Sequence, residues 1–122
     1  MRIIDTHHHL WNYNPVEFNW IDNEMKIIRR SFLPEDIFST LANTGVQEVV
    51  TVQARQLIEE TEWLLKLASQ YSMMKGVIGW VPLADANVQQ ILERYSQNSL
   101  LKGIRHVVQG EPDGFILERK FN

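Results

Sequence analysis

Cysteine is absent from all 122 residues. That excludes disulfides, thiolate metal sites and a cysteine nucleophile together, and it suits a reducing cytoplasm. Any metal must be held by His, Asp or Glu. Basic residues are also short: 12 Lys and Arg stand against 15 Asp and Glu, for a net charge of −3. With no run of Lys and Arg to offset that average, the electrostatic footprint of a nucleic-acid binder is missing. Long apolar runs are missing as well. The longest, Val77 to Ala84, is interrupted by Gly79 and Pro82 and falls far short of the roughly 20 residues that span a bilayer. The start, Met1-Arg2-Ile3-Ile4-Asp5, runs into three histidines rather than a signal-peptide apolar core. What is present is 44% hydrophobic and 22% charged, the profile of one soluble globular domain.

Short β-rich runs alternate with segments of helical period, the pattern of βαβ units on a parallel sheet. Strands are expected over Arg2 to His9, Glu48 to Ala54, Lys75 to Leu83 and Leu101 to Val108. Pro34 to Asn43 reads as a helix, with proline at its first position, Glu35 and Asp36 at the positive end of the dipole and Gly45 just past its end. A second helix, Glu59 to Tyr71, lines up Trp63, Leu64, Leu67, Ala68 and Tyr71. A third follows Asn87 as candidate N-cap, with Val88, Ile91, Leu92 and Tyr95 on one face. Two stretches break the plan. The connection from Leu10 to Leu33 far exceeds a usual βα loop, and its Trp11, Tyr13, Phe18 and Trp20 make it either a plug over the sheet end or a substrate lid. Past the turn at Glu111-Pro112-Asp113-Gly114, Phe115 to Asn122 looks like the start of a fourth helix.

Chemistry gathers at the strand ends. In Asp5-Thr6-His7-His8-His9, strand periodicity puts His7 and His9 on one face, with Ile3 and Asp5, and His8 on the other. Two neutral imidazoles so placed are a ready pair of ligands for Zn²⁺ or a similar divalent ion; a polar strand end or tag remnant is the plain alternative. Ligands of parallel α/β folds meet the C-terminal strand ends, so the other ends matter too. Gln53 offers an amide in an apolar run, or bonds local backbone. Trp80 is an apolar wall, or simple core. Arg105 suits an anionic substrate group through its bidentate fork, unless Asp5 or Glu111 claims it. His106 is then a packed or supporting residue. No glycine-rich phosphate loop follows the first strand, which counts against an open flavodoxin-like sheet.

Met1 to Trp11, Phe32-Leu33-Pro34-Glu35-Asp36, Val52-Gln53-Ala54, Gly79-Trp80-Val81, Gly103 to Gln109 and Glu111-Pro112-Asp113 together resemble the fuconolactonase-like branch of the amidohydrolase superfamily. The resemblance implies α/β architecture of the TIM-type (β/α)8 barrel, with residues 1–122 as one domain supplying about four units of it. It implies metal-assisted hydrolysis of a lactone, often of a sugar acid, with His7 and His9 as metal ligands and Arg105, Gln53 and Trp80 in the substrate pocket. Lys102 stands at the start of strand four and no lysine at its end, which argues against a carbamylated lysine and a two-metal centre. The family is more than twice this length, so the catalytic aspartate and the remaining ligand are expected outside this N-terminal half, leaving the chain alone a poor catalyst. A non-catalytic half-barrel used for assembly is the competing reading. Open edges on strands one and four, and an inner face expected to include Ile3, Val49, Ile78 and Trp80, point to a homo-oligomer or to association with a missing C-terminal half.

Overall fold

A computed structural model describes residues 1–119. Its elements run β1 (Ile3–His8), α1 (Pro34–Leu41), β2 (Val46–Val52), α2 (Ile58–Gln70), β3 (Met74–Gly79), α3 (Val88–Ser96) and β4 (Leu101–Ile104). The four strands form one parallel sheet in the order β1-β2-β3-β4. Each strand lies beside the next in sequence, with no reversal of order. That is the winding of a barrel, whereas an open doubly wound sheet reverses at a switch point. The chain is thus a half-barrel of consecutive β/α units.

Each helix starts where its local chemistry allows. Pro34 opens α1, and the Asp36 carboxylate accepts the Leu33 N–H at 2.9 Å, satisfying one donor of the first turn. The helix stops at Leu41, two residues before its expected end, and Gly45 at φ +79° turns the chain into β2. Asn87 does precede α3, but its side chain makes no capping bond; the Asp85 carboxylate instead accepts the Asn87 N–H at 2.7 Å.

The core lies between the sheet and the helices. Val49, Met74, Val77 and Val81 from the sheet side meet Leu64, Leu65 and Ala68 of α2 and Tyr95 of α3, all buried. Val49 was expected on the inner face, and this is a correction: it is completely buried on the helix side. The face turned away from the helices carries Val50, because a Cβ placed on Gly76 would touch Val50 and Lys102. Gly79 admits no side chain: a Cβ there would stand 2.7 Å from Thr61 Cγ2 on α2.

Two strands end earlier than their apolar runs do. After Gly79 the Trp80 N–H donates to Thr61 Oγ1 at 2.7 Å, and the Thr61 hydroxyl donates to the Trp80 carbonyl at 2.8 Å. The helix therefore takes what the ladder would have used. β4 ends at Ile104, and its last sheet bond runs from the Arg105 N–H to the Gly79 carbonyl at 2.9 Å. At the C-terminus a single turn, Phe115–Leu117, stands where a fourth helix was expected; Lys120 to Asn122 lie outside the described residues.

The long connection builds a small core of its own. Phe18 is buried and in ring contact with Trp11, Tyr13 and Trp20. Trp11 and Phe32 exchange backbone hydrogen bonds at 3.0 and 2.9 Å, tying the two ends of the loop together. The Arg55 guanidinium reaches Glu17 at 2.6 Å and ties it to the β2–α2 turn.

Candidate active site

Strand β1 does not keep regular alternation through its end. Asp5 pairs with Val49 but His8 with Thr51, so three steps on one strand match two on the other, a bulge. Asp5 consequently falls on the same side as His8, with its carboxylate 3.8 Å from His8 Nδ1; the expected sharing of a face between Asp5 and His7 is corrected by that bulge. His8 turns to the covered side, where Nε2 meets the Thr51 hydroxyl at 3.0 Å. Burial pushes the His8 imidazole down to about 4, so it is neutral near pH 7.

His7 and His9 come together. Their ring centroids are 5.1 Å apart, edge to face. His9 Nδ1 lies 2.9 Å from the Val52 carbonyl oxygen, which only accepts. The proton is therefore on Nδ1, and Nε2 keeps a free lone pair. Burial holds His9 below the ordinary imidazole range, against the pull of the Val52 hydrogen bond, and the charge of Arg105 adds to the lowering. These two converging imidazoles fit a divalent cation. Among the described residues no group of three or more His, Asp or Glu side chains is placed to hold a metal, so the pair would be part of a ligand set.

Arg105 shares a cavity with His9. The cavity, of about 310 Å³, is lined by His9, Trp11, Phe18, Trp20, Ala54, Arg105 and Val107. Neither acid considered as its partner takes it: Asp5 accepts the His7 N–H, and Glu111 meets His106 Nε2 at 2.7 Å. Trp20, 57% exposed, is the open aromatic of this wall.

Gln53 and Trp80 stand elsewhere. Gln53 is completely buried, its Nε2 donating to the Arg105 carbonyl at 3.0 Å and its Oε1 without a partner among the described residues. Trp80 Nε1 donates to His106 Nδ1 at 3.1 Å, forming a chain Trp80–His106–Glu111 that braces the segment after β4. Lys102 lies at the far end of β4, with Nζ on the Ser99 carbonyl at 2.6 Å. A wider groove between α2 and α3, about 630 Å³, is bordered by Glu62, Lys66 and Arg94; there Glu62 is already engaged by the Tyr95 hydroxyl at 2.7 Å.

Sequence reading passed over Glu60 and Gln56. Glu60 is completely buried and accepts the Ala54 and Arg55 N–H groups and Arg55 Nε. Gln56 Oε1 accepts the Val107 N–H at 2.6 Å. An acid and an amide near the start of a helical pattern look like a solvated face; only their tertiary partners distinguish them.

A parallel β/α-barrel segment with a histidine pair at the end of its first strand, one of the pair sharing a cavity with an arginine just past its fourth, defines the class. The family model described as Amidohydrolase matches residues 4–121, and the chain belongs to the amidohydrolase family. Among curated relatives, it is 32% identical over 112 residues to an L-fucono-1,5-lactonase of Burkholderia multivorans, covering 90% of this chain and 37% of the relative. It is 33% identical over 110 residues to an L-fucono-1,5-lactonase of Burkholderia ambifaria, covering 90% and 38%. A crystal structure of a Burkholderia multivorans amidohydrolase with bound zinc superposes with a TM-score of 0.92 at 28% identity, covering 99% of this chain and 43% of that one. A second crystal form with bound HEPES gives 0.91, also at 28% identity, with 99% and 42% covered. The chain thus spans about two-fifths of the length of the relatives it matches.

Proposed function

We propose that this half-barrel carries the strand-one metal ligands and the anion-reading arginine of a metal-assisted hydrolase that opens a sugar-acid lactone. The observation that carries the reading is the convergence of His7 with His9, whose Nδ1 is committed to Val52, at the edge of a cavity shared with Arg105. His7 and His9 would hold the divalent ion, most simply zinc, the metal named in the related structure. When bound, such an ion supplies Lewis acidity toward a carbonyl oxygen and lowers the pKa of water. Arg105 presents a planar pair of donors to a carboxylate or ring oxygen. Trp11, Phe18 and Trp20 exclude water from one side and give a flat surface to an apolar ring face. Gln53 and Trp80 serve the pocket from behind it, through the residues they bond.

Residues 1–122 form one domain in this reading. It acts with a second half-barrel, a further copy or a complementary half, because β1 and β4 each pair on one side only among the described residues and open edges invite pairing. No helix among the described residues is long and apolar enough to cross a membrane, and we place the protein in the cytoplasm. Hydrolysis of L-fucono-1,5-lactone by the half-barrel assembled with a complementary half, followed by acid release with zinc present, tests the reading. Turnover above the uncatalysed rate that disappears in His9→Ala supports it. Turnover unchanged in His9→Ala removes the metal role, and zinc binding without any turnover favours a module that works by assembly.

A further inference from the structure

Gln56 does not border the cavity that holds Arg105, yet it and Gln53 grip the chain just after that arginine, while Gly79 holds it from the other side. Gln53 Nε2 donates to the Arg105 carbonyl at 3.0 Å, Gln56 Oε1 accepts the Val107 N–H at 2.6 Å, and the Arg105 N–H donates to the Gly79 carbonyl at 2.9 Å. These bonds lie past the last residue of β4, where the sheet ladder gives out and backbone groups need other partners. The grip has a firm base. Glu60, completely buried on α2, gathers the Ala54 and Arg55 N–H groups and Arg55 Nε, and so fixes the turn from which both glutamines extend. The Arg105 guanidinium makes no hydrogen bond or ion pair among the described residues. Its place opposite His9 is therefore set by where its own backbone is held.

We propose that Gln56 is a positioning residue for Arg105: by holding the Val107 N–H, its amide oxygen sets where the guanidinium stands in the cavity, and with it the affinity for carboxylate-bearing ligands. The proposal rests on the reading of Arg105 as the anion anchor, and it extends that reading to a residue that touches no ligand. The effect must then pass entirely through Arg105.

A double-mutant cycle separates this from a general structural role. The ¹⁵N-labelled chain is titrated with L-fuconate, the carboxylate that hydrolysis of L-fucono-1,5-lactone releases. Occupancy is read from the indole N–H resonances of Trp11 and Trp20, which border the same cavity. Gln56→Met keeps the stem and removes the acceptor, and should weaken binding about tenfold, the worth of one good hydrogen bond. In an Arg105→Met background the same substitution should change nothing. Exchange of the Val107 amide proton should speed up in both backgrounds. If Gln56→Met has no effect, or the same effect with and without Arg105, the proposal is overturned while the anchor reading stands. If Arg105→Met leaves affinity unchanged, or the unaltered chain gives no saturable shift, the anchor reading fails and takes the proposal with it. Gln56→Ala runs through the same cycle if Gln56→Met does not fold.

Discussion

The Nδ1 of His9 lies 2.9 Å from the carbonyl oxygen of Val52. A neighbouring strand thus decides which imidazole nitrogen carries the proton, and does so before any metal arrives. Ligating histidines commonly have the second nitrogen held in this way. His7 has no such brace on its ring in the described structure; its backbone N–H is held by the Asp5 carboxylate at 3.0 Å.

The first prediction concerns this pair. On titration with zinc, the ring resonances of His7 and His9 should move together while those of His8, engaged with Thr51, stay in place. His9→Ala and His7→Ala should each abolish the response, and His8→Ala should preserve it. A response that follows His8 would refute the assignment.

A second prediction concerns Glu60. Removing one partner of a buried charge pair costs about 3–5 kcal/mol, and this carboxylate is completely buried with Arg55 Nε and two backbone N–H groups on it. Glu60→Leu should lower the unfolding free energy in urea by about that amount. Glu17→Ala, which removes only the outer partner of Arg55, where the Glu17 side chain is 39% exposed, should cost under about 1 kcal/mol. Similar losses in the two variants would mean that the buried carboxylate is not the anchor of the turn.

The Thr61 hydroxyl offers a third. It closes off both the N–H and the carbonyl of Trp80, which is what stops β3 there. Thr61→Val keeps the shape and loses both bonds, leaving part-buried backbone groups unpaired at up to about 1–3 kcal/mol each. Thr61→Ser keeps the hydroxyl and should retain most of the stability. Hydrogen exchange at the Trp80 amide distinguishes them: fast in Thr61→Val, protected in Thr61→Ser.

How far the sequence could be read follows from the range of the physics involved. Periodicity and end chemistry are local, so α1, α2 and α3 begin within a residue or so of where Pro34, Glu59 and Asn87 place them, and the His-x-His spacing brings its two rings together despite the bulge. Strand ends are a property of pairs. Nothing in Trp80-Val81 or Arg105-His106 says that Thr61 or Gln53 has already claimed the backbone there. For the same reason Gln53 read as a pocket amide, Gln56 and Glu60 went unread, and Asp5 was set on the wrong side of β1. Gln53, Gln56 and Asp5 depend on partners tens of residues away, whereas Glu60 is buried by the shape of the turn that brings Ala54 and Arg55 back onto it.

The last prediction is a pH dependence. Tyr95 is buried on α3, and its hydroxyl donates to Glu62 of α2 at 2.7 Å. Burial, and then the Glu62 carboxylate, push the phenol from its ordinary 10.0 up to about 12. The fold therefore favours the neutral phenol, and a group whose value is raised on folding stabilises below its unfolded value and loses that contribution as pH climbs to its folded one. Tyr95→Phe lacks both the hydrogen bond and the titration. Relative to it, the wild-type chain should be more stable at pH 8 by about 1.5–3 kcal/mol, the usual worth of a hydrogen bond to a charged group. The advantage should shrink steadily from pH 10 to pH 12, because the unfolded tyrosine ionises first. Urea unfolding of the two proteins in parallel reads this difference, and lysine titration common to both cancels. An advantage that stays flat across that window would show that the folded phenol ionises as easily as an unfolded one, and that the Glu62 contact does not hold its proton.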